Sequence, residues 1–406
     1  MIEQGTILTQ TLAVAIALLA APLFLDLAVS IAGNLPGARR HGAKGGRTIR
    51  MAVVVPAHNE QELIARTVRS LLAAVKATPA ADGEALAEIP VFVVAHNCSD
   101  ATATAAEAAG ARVLELKNPR LLGKGAALRF GFQTAQMTGA NAFLVVDADS
   151  VASANLIEAT RTALEAGADA TQCRYELEPV TGRPFRPLAR LRVMAFRGIN
   201  VFRARGRANL GFSAGLFGNG FAVTAETLER APFSADSIVE DLEYHIRLVA
   251  AGMRVQWVEE AYVRAPLSAP GSAQATQEAR WEGGRFHVAT RATGRLLTAV
   301  LHGNWQAAEM LAEVWSLPLS RGIIALLLTL LLPVHWLHVF ALACSAIAAM
   351  YVFGSALMGD EPWLDLAAMI AAPLHILWKA AITPLVLRQT RKRAEWARTR
   401  REARQP

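Results

Sequence analysis

The chain has 406 residues, 53% of them hydrophobic and 18% charged, with a formal net charge of +7. That length allows two or three domains at about 150 residues each, and so apolar a composition excludes a disordered chain. The basic excess is not a field spread over a fold: Arg388–Pro406 alone holds eight Lys/Arg against two Glu, which argues against nucleic-acid binding. Cys98, Cys173 and Cys344 form no CxxC pair and no metal spacing. A disulfide framework is therefore not expected, and the catalytic region reads as facing a reducing cytosol.

In chain order, Thr11 to Ile31 is almost uninterrupted apolar sequence, broken only by Pro22 and Asp26. It is long enough to span a bilayer, so residues 1–36 are predicted to form a transmembrane helix. Glu3 stands where a signal peptide would carry basic residues, which fits cleavage poorly. Residues 37–50 then supply Arg39, Arg40, Lys44, Arg47 and Arg50 without an acid. The positive-inside rule makes this linker cytoplasmic and the N-terminus external.

From Met51 to about Trp257 the pattern changes. Met51–Val55, Val91–Ala95, Arg112–Leu116 and Phe143–Val146 read as short buried strands. Helical patterns lie between and after them at Glu60–Val75, Ala101–Ala109, Lys124–Met137 and Asn155–Ala166. Such alternation predicts an α/β domain with a mostly parallel sheet, whose ligands bind at the carboxyl ends of the strands. The polar runs His58-Asn59-Glu60, His96-Asn97-Cys98-Ser99-Asp100 and Asp147-Ala148-Asp149 fall at those ends.

Four features carry chemistry. Asp147-x-Asp149 at a strand exit can aim two carboxylates at one Mg2+ or Mn2+ that also holds a diphosphate, although an Asp-rich turn reads the same way. Gly123-Lys124-Gly125 opens a helix where a lysine suits a phosphate, or is simply a helix-start turn. It is neither a Walker loop nor a dinucleotide fingerprint. Glu240-Asp241 begins a helix marked by Leu242, Ile246 and Val249 and stopped by Gly252. It offers either dipole partners or a general base for an acceptor hydroxyl. Gln277-Glu278-Ala279-Arg280-Trp281 places Gln277, Arg280 and Trp281 together on a helix, with a plain amphipathic surface helix as the competing explanation.

A second apolar block runs from Gly322 to Leu387 and divides near Pro333 and again near Gly359-Asp360-Glu361-Pro362. Three crossings here would leave the basic tail outside, whereas two would place it in the cytosol. The third segment, with Pro373, Trp378, Lys379 and Pro384, is read as interfacial or re-entrant. For Asp26 and Lys379, snorkelling or interface anchoring is favoured over an intramembrane function. Residues 301–387 are thus expected to be interfacial and transmembrane helices, and 388–406 a cytoplasmic tail.

Taken together, Val53-Val54-Val55-Pro56-Ala57-His58-Asn59-Glu60, Gly123-Lys124-Gly125, Asp147-Ala148-Asp149, Glu240-Asp241 and the QxxRW pentapeptide resemble the membrane-integrated members of glycosyltransferase family 2. That group includes cellulose, chitin and hyaluronan synthases and the ceramide glucosyltransferases. The resemblance covers about Met51 to Trp281. It implies a GT-A fold over residues 51–300 and inverting transfer of a sugar from a nucleotide donor, usually UDP-linked. It further implies that His58, Glu60 and Asp100 serve the nucleotide pocket and that Lys124 meets the diphosphate. Asp149 would bind the metal, Asp147 would lie against the nucleotide, and Asp241 would be the base. Gly218 and Asn219 would adjoin the acceptor site, and Gln277, Arg280 and Trp281 would close the acceptor and diphosphate end. Two positions depart from the pattern: Ala95 and His96 replace the usual Asp, which loosens donor-base recognition, and Val239 replaces a Thr before Glu240-Asp241.

A nicotinamide oxidoreductase is opposed by the missing glycine fingerprint, and a transporter or scaffold by a soluble domain with aligned polar motifs. The expectation is a multi-pass enzyme of the cytoplasmic (inner) membrane that binds no nucleic acid. Its acceptor would be a lipid or lipid-linked glycan, which the few apolar segments favour over a secreted polysaccharide made processively.

Overall fold

The computed structural model describes residues 2–37, 45–79, 89–180, 185–234, 239–268 and 271–389. Arg39, Arg40 and Lys44 of the expected linker, and the tail from residue 390, lie outside the described residues. A long helix α1 (Ile2–Gly33) comes first. The domain that follows runs β1 (Met51–Ala57), α2 (Ile64–Ala77), β2 (Val91–His96), α3 (Thr102–Ala108), β3 (Arg112–Leu116), α4 (Lys124–Met137) and β4 (Ala142–Val145). It continues with β5 (Val151–Ala152), α5 (Leu156–Glu165), β6 (Ala170–Leu177), α6 (Pro187–Arg197), a π-helical turn (Gly198–Arg203) and α7 (Ala204–Asn209). Next come β7 (Phe221–Thr224), α8 (Ala225–Arg230), α9 (Glu240–Ala250), β8 (Val255–Ala265) and α10 (Ser272–Leu301). The chain ends in α11 (Trp305–Trp315), α12 (Leu319–Thr329), α13 (His335–Leu357), α14 (Pro362–Ala367), a 3-10 turn (Ala368–Ala371), α15 (Ala372–Ala381) and α16 (Thr383–Gln389).

The strands form one sheet in the order β3-β2-β1-β4-β7-β6-β8-β5. β3, β2, β1 and β4 are mutually parallel, with Val53 opposite Val91 and Met51 opposite Ala142. Alternate residues of each strand serve opposite faces. Val53, Val55, Val93 and Leu144 pack on Ile64, Val68 and Leu71 of α2. Val54, Val94, Phe143 and Val145 pack on Leu128 and Phe132 of α4 and on Tyr244 and Leu248 of α9. Covering both faces is what makes these strands continuous apolar runs. A β-carbon at Gly131 would meet Val54 Cγ1 at 2.5 Å, so this glycine lets α4 settle onto the sheet.

One strand expectation needs correcting. Arg112–Leu116 is not a buried strand: β3 is the sheet's edge among the described residues, and Arg112 and Glu115 are exposed. The sheet is mostly parallel, as expected, since β6 also runs parallel to β8. β7 runs antiparallel to β4 and β6, and β5 antiparallel to β8.

Among the described residues, three segments are long and apolar enough to cross a membrane: Ile7–Gly33, His335–Leu357 and Pro362–Ala381. α12 alone, at 11 residues, is too short; with α11 it forms a pair bent by 73°. α1 and α13 run side by side in the same direction. Trp336 Nε1 donates to Gln10 Oε1 near their starts (3.1 Å), and near their ends Asn34 Nδ2 donates to Phe202 O (2.7 Å), whose ring meets Tyr351.

Asp26 and Lys379 are both paired inside the protein. Asp26 meets Arg203 at 2.6 Å and Arg207 at 3.6 Å, and those arginines also take Glu309 and Glu313 of α11. Lys379 pairs with Glu278 and, at 2.9 Å, with Glu282. A charge withdrawn from water needs a partner, and these partners lie too far away in sequence to be read from it.

Candidate active site

Because β1, β2 and β4 are parallel and in step, their carboxyl ends open on one edge of the sheet. The turns after β1 and β2 are stitched together by their own side chains. Asn59 and Asn97 have positive φ (57° and 49°), a conformation asparagine tolerates. Asn59 Oδ1 accepts from Ser99 N (2.8 Å), and Gln61 Oε1 accepts from Ala101 N (3.0 Å). Asp100 accepts from Thr102 N (3.0 Å) and Gln61 N (3.2 Å), so its carboxylate braces this pair of loops. Glu60 N donates to Thr102 Oγ1 (2.8 Å), and His58 Nδ1 contacts His96 O (2.8 Å). His58, Glu60 and Asp100 thus share one rim. His96 is buried below it, with Nε2 2.9 Å from Leu121 O just ahead of α4.

The centre of the site is Lys124, the first residue of α4, entered through Gly123 at φ 85°. Its Nζ lies 2.5 Å from Asp147 Oδ1, 2.6 Å from Gly218 O and 4.0 Å from Glu240 Oε1. Burial pulls its pKa down, but Asp147 and Glu240 outweigh that, so the amine stays charged. Gly218, at φ 76°, separates it from the base candidate: a β-carbon there would lie 3.3 Å from Asp241 Oδ2 and 3.4 Å from Lys124 Nζ.

Asp241 sits in the first turn of α9, where Oδ1 accepts from Leu242 N at 2.8 Å. Burial raises its pKa against that hydrogen bond and against Lys124. Burial likewise pushes Glu240 up to about 7, with Lys124 opposing and Asp241 assisting. A buried carboxylate with a raised pKa is a competent proton acceptor near neutral pH. Arg280, on α10, is close enough to Glu240 for the two charges to interact, although burial lowers its guanidinium. Trp281 is 44% exposed. Gly284 presses α10 against the turn before α9, since a β-carbon there would meet Val239 Cγ1 at 3.1 Å.

Asn219 holds the loop after β4. Its Oδ1 accepts from Asp147 N (3.0 Å), and its Nδ2 donates to Ser150 Oγ (2.9 Å), which lies 3.2 Å from Asp149 Oδ1. Among the described residues, no group of three or more His, Cys, Asp or Glu forms a metal cage. The donors present are Asp147 and Asp149, all oxygen. That set fits Mg2+ or Mn2+ held by one or two carboxylates together with diphosphate oxygens.

The structure therefore gathers Lys124, Asp147, Gly218 and Asp241 into one cluster, with Asn219 tying Asp147 to Ser150 beside Asp149 and with Arg280 near Glu240. His58, Glu60 and Asp100 lie at the neighbouring strand ends, and Gln277 and Trp281 lie on the flanking helix. Sequence reasoning missed Gln172. Fully buried on β6, it accepts from Phe217 N (3.0 Å) and donates to Asn219 O (2.8 Å), fixing the loop that carries Gly218. A lone amide inside an apolar strand was the available signal.

With this geometry established, residues 49–284 match the family described as glycosyltransferase like family 2, which is more than half of the chain. The chain belongs to that family, and it is a glycosyltransferase. Comparison with curated proteins finds no match. Among solved structures it is similar to a mannosyltransferase from Pyrobaculum calidifontis in complex with GDP-Man and Mn2+. The two share 17% identity at a TM-score of 0.51, over 91% of this chain and 99% of that one. Glucosyl-3-phosphoglycerate synthase from Mycobacterium tuberculosis, solved with Mn2+, UDP and phosphoglyceric acid, matches over 52% of this chain and 68% of its own, at 21% identity and a TM-score of 0.34. The fold is GT-A, with apolar helices at both ends of the domain.

Proposed function

We propose that this chain is an inverting, metal-dependent hexosyltransferase acting at the cytoplasmic face of the inner membrane. It takes a sugar from a nucleotide-sugar, UDP-hexose in the first instance, and passes it to a lipid or lipid-linked glycan. The convergence of Lys124, Asp147 and Asp241 around Gly218 carries this reading: a cation for a diphosphate and a carboxylate for a hydroxyl lie across one glycine.

Asp241 removes the acceptor hydroxyl's proton as that oxygen attacks the anomeric carbon. The bond to the diphosphate breaks, and the nucleoside diphosphate leaves with the electron pair. One base and one displacement give inversion. Lys124 and Arg280 neutralise charge on the departing diphosphate, which water would otherwise have to solvate. A divalent cation would be held by Asp149, with Asp147 beside it, and would supply further neutralisation at the same diphosphate. His58, Glu60 and Asp100 form the nucleotide end. Gln277 and Trp281, with Gly218 and Asn219, form the acceptor end, where an exposed indole gives a sugar ring or apolar headgroup a flat surface.

A lipid acceptor is supported by α10: the helix that carries Gln277, Arg280 and Trp281 is ion-paired to Lys379 on an apolar segment. The test is to incubate purified protein with a panel of nucleotide-sugars, measure nucleotide diphosphate release, and analyse the products by mass spectrometry. A single added hexose on a lipid supports the proposal. A ladder of products would favour a processive polysaccharide synthase, and no release from any donor would reject transfer.

A further inference from the structure

The contacts of the last apolar segment conflict with its composition. Pro362–Ala381 has the length and hydropathy of a span, yet both of its ends are tied to helices of the transferase domain. Near its start, Asp365 pairs with Arg190 (2.8 Å) and Arg197 (2.7 Å) of α6. Near its end, Lys379 pairs with Glu278 and Glu282 of α10. Between these points Ala368 and Ala371 pack on Leu191 and Met194 of α6. Helix α6 itself carries Arg190, Arg192 and Arg197, which disqualifies it from the hydrocarbon.

Helical rise gives the whole of Pro362–Ala381 a reach of about 30 Å, so its contacts and not its length decide its placement. A segment resting on one soluble domain at its start, middle and end cannot have those ends on opposite sides of a bilayer. Its other face is apolar: Trp363, Ile370, Leu374 and Leu377 are 64–79% exposed, whereas Asp365 and Lys379 are 4% and 9% exposed. The span α13 leads directly into it, and the basic run from Arg388 that suits an anionic leaflet follows.

We propose that Pro362–Ala381 is a strap lying along the cytoplasmic surface of the bilayer, with Trp363, Ile370, Leu374 and Leu377 in lipid, and that Lys379 is a positioning residue for the acceptor helix. Glu278 follows Gln277 and Glu282 follows Trp281, so the lysine grips the two neighbours of the acceptor side chains. Anchoring the strap in the headgroup layer thereby fixes the depth at which Trp281 meets a lipid headgroup. The role of Lys379 rests on the lipid-acceptor reading; the placement of the strap does not.

Two measurements test this on the full-length protein. Asp360→Cys and Ala381→Cys, each in a Cys98→Ser background, are exposed to a membrane-impermeant maleimide in sealed inside-out and right-side-out vesicles. Labelling of both sites in inside-out vesicles only is expected; labelling from opposite sides would overturn the strap. The second measurement compares Lys379→Met and Lys379→Arg, using total polar lipid of the expressing cells as acceptor and the donor found by nucleotide release. The ratio of transfer to donor hydrolysis should fall at least tenfold in Lys379→Met and return to within twofold of wild type in Lys379→Arg. An unchanged ratio in Lys379→Met, or equal loss of both activities, would remove the positioning role. Wild-type protein that yields no lipid product would overturn the lipid reading and the role of Lys379 with it, while the maleimide result still decides the strap.

Discussion

Gly218 is where a single methyl group should press on both the base and the lysine. A β-carbon there would sit 3.3 Å from Asp241 Oδ2, 3.5 Å from Asp241 Cβ and 3.4 Å from Lys124 Nζ, at a φ of 76°. The left-handed backbone alone costs a non-glycine residue about 1–2 kcal/mol. The contacts add a displacement of a few tenths of an ångström, shared between the base and the lysine. Misplacement by about 1 Å can cost on the order of 100-fold in rate, so Gly218→Ala should lower kcat about tenfold. Gly139→Ala is the control, since Gly139 has φ 87° and nothing within 4 Å of a built β-carbon. Thermal melts should show comparable destabilisation in both variants, and donor turnover should fall in Gly218→Ala alone. Full turnover in Gly218→Ala, with melting lowered as in Gly139→Ala, would refute the placement of the reacting groups around this glycine.

Burial raises Glu240 to about 7, and the neighbouring Asp241 adds to that rise. Burial also raises Asp241, so the acidic limb of transfer should lie above the ordinary carboxylate range. Asp241→Asn removes a negative neighbour from Glu240 and should lower the Glu240 titration below about 7 in carboxyl infrared difference spectra; an unmoved titration would separate the two groups. The sign for stability is opposite to that of an ion-paired acid. The folded state holds the Glu240 proton to higher pH than the unfolded chain does, so this group's contribution to stability declines between about 4.5 and 7. The melting advantage of Glu240→Gln over wild type should accordingly grow from pH 5 to pH 8. EDTA should abolish transfer, Mg2+ or Mn2+ should restore it, and Asp149→Ala should behave as the chelated enzyme does; activity surviving in chelator would remove the metal. Trp281→Ala should lose transfer but keep donor hydrolysis, while Arg280→Ala should lose both. Equal losses in the two variants with a lowered melting temperature would reduce the pair to packing.

The half of the domain bearing β1, β2 and β4 was legible because both faces of those strands are covered, so each reads as an unbroken apolar run. The bounds of α4, Lys124–Met137, follow from glycines at its start and just after its end. Edge exposure is a property of strand order, so β3 looked like its buried neighbours. β7 is only four residues long, and its antiparallel pairing with β4 and β6 is a matter of sheet order. The motif residues could be found individually, yet their convergence depends on sheet order: Lys124 and Gly218 lie 94 positions apart and share a hydrogen bond. Least legible were the long-range ion pairs. Asp26 and Lys379 look alike as isolated charges in apolar sequence, and only the fold supplies Arg203 to one and Glu278 to the other.

The central claim is that Asp241 is the base of a sugar transfer, and Asp241→Asn tests it most directly because it keeps the side chain's size and removes its basicity. Initial rates of transfer and equilibrium binding of the nucleotide donor are measured on the same preparation. General base catalysis typically supplies about 10²–10⁴ in rate, so transfer should fall at least 100-fold while donor affinity stays within about threefold of wild type. Transfer within tenfold of wild type, at normal donor affinity, would contradict the assignment.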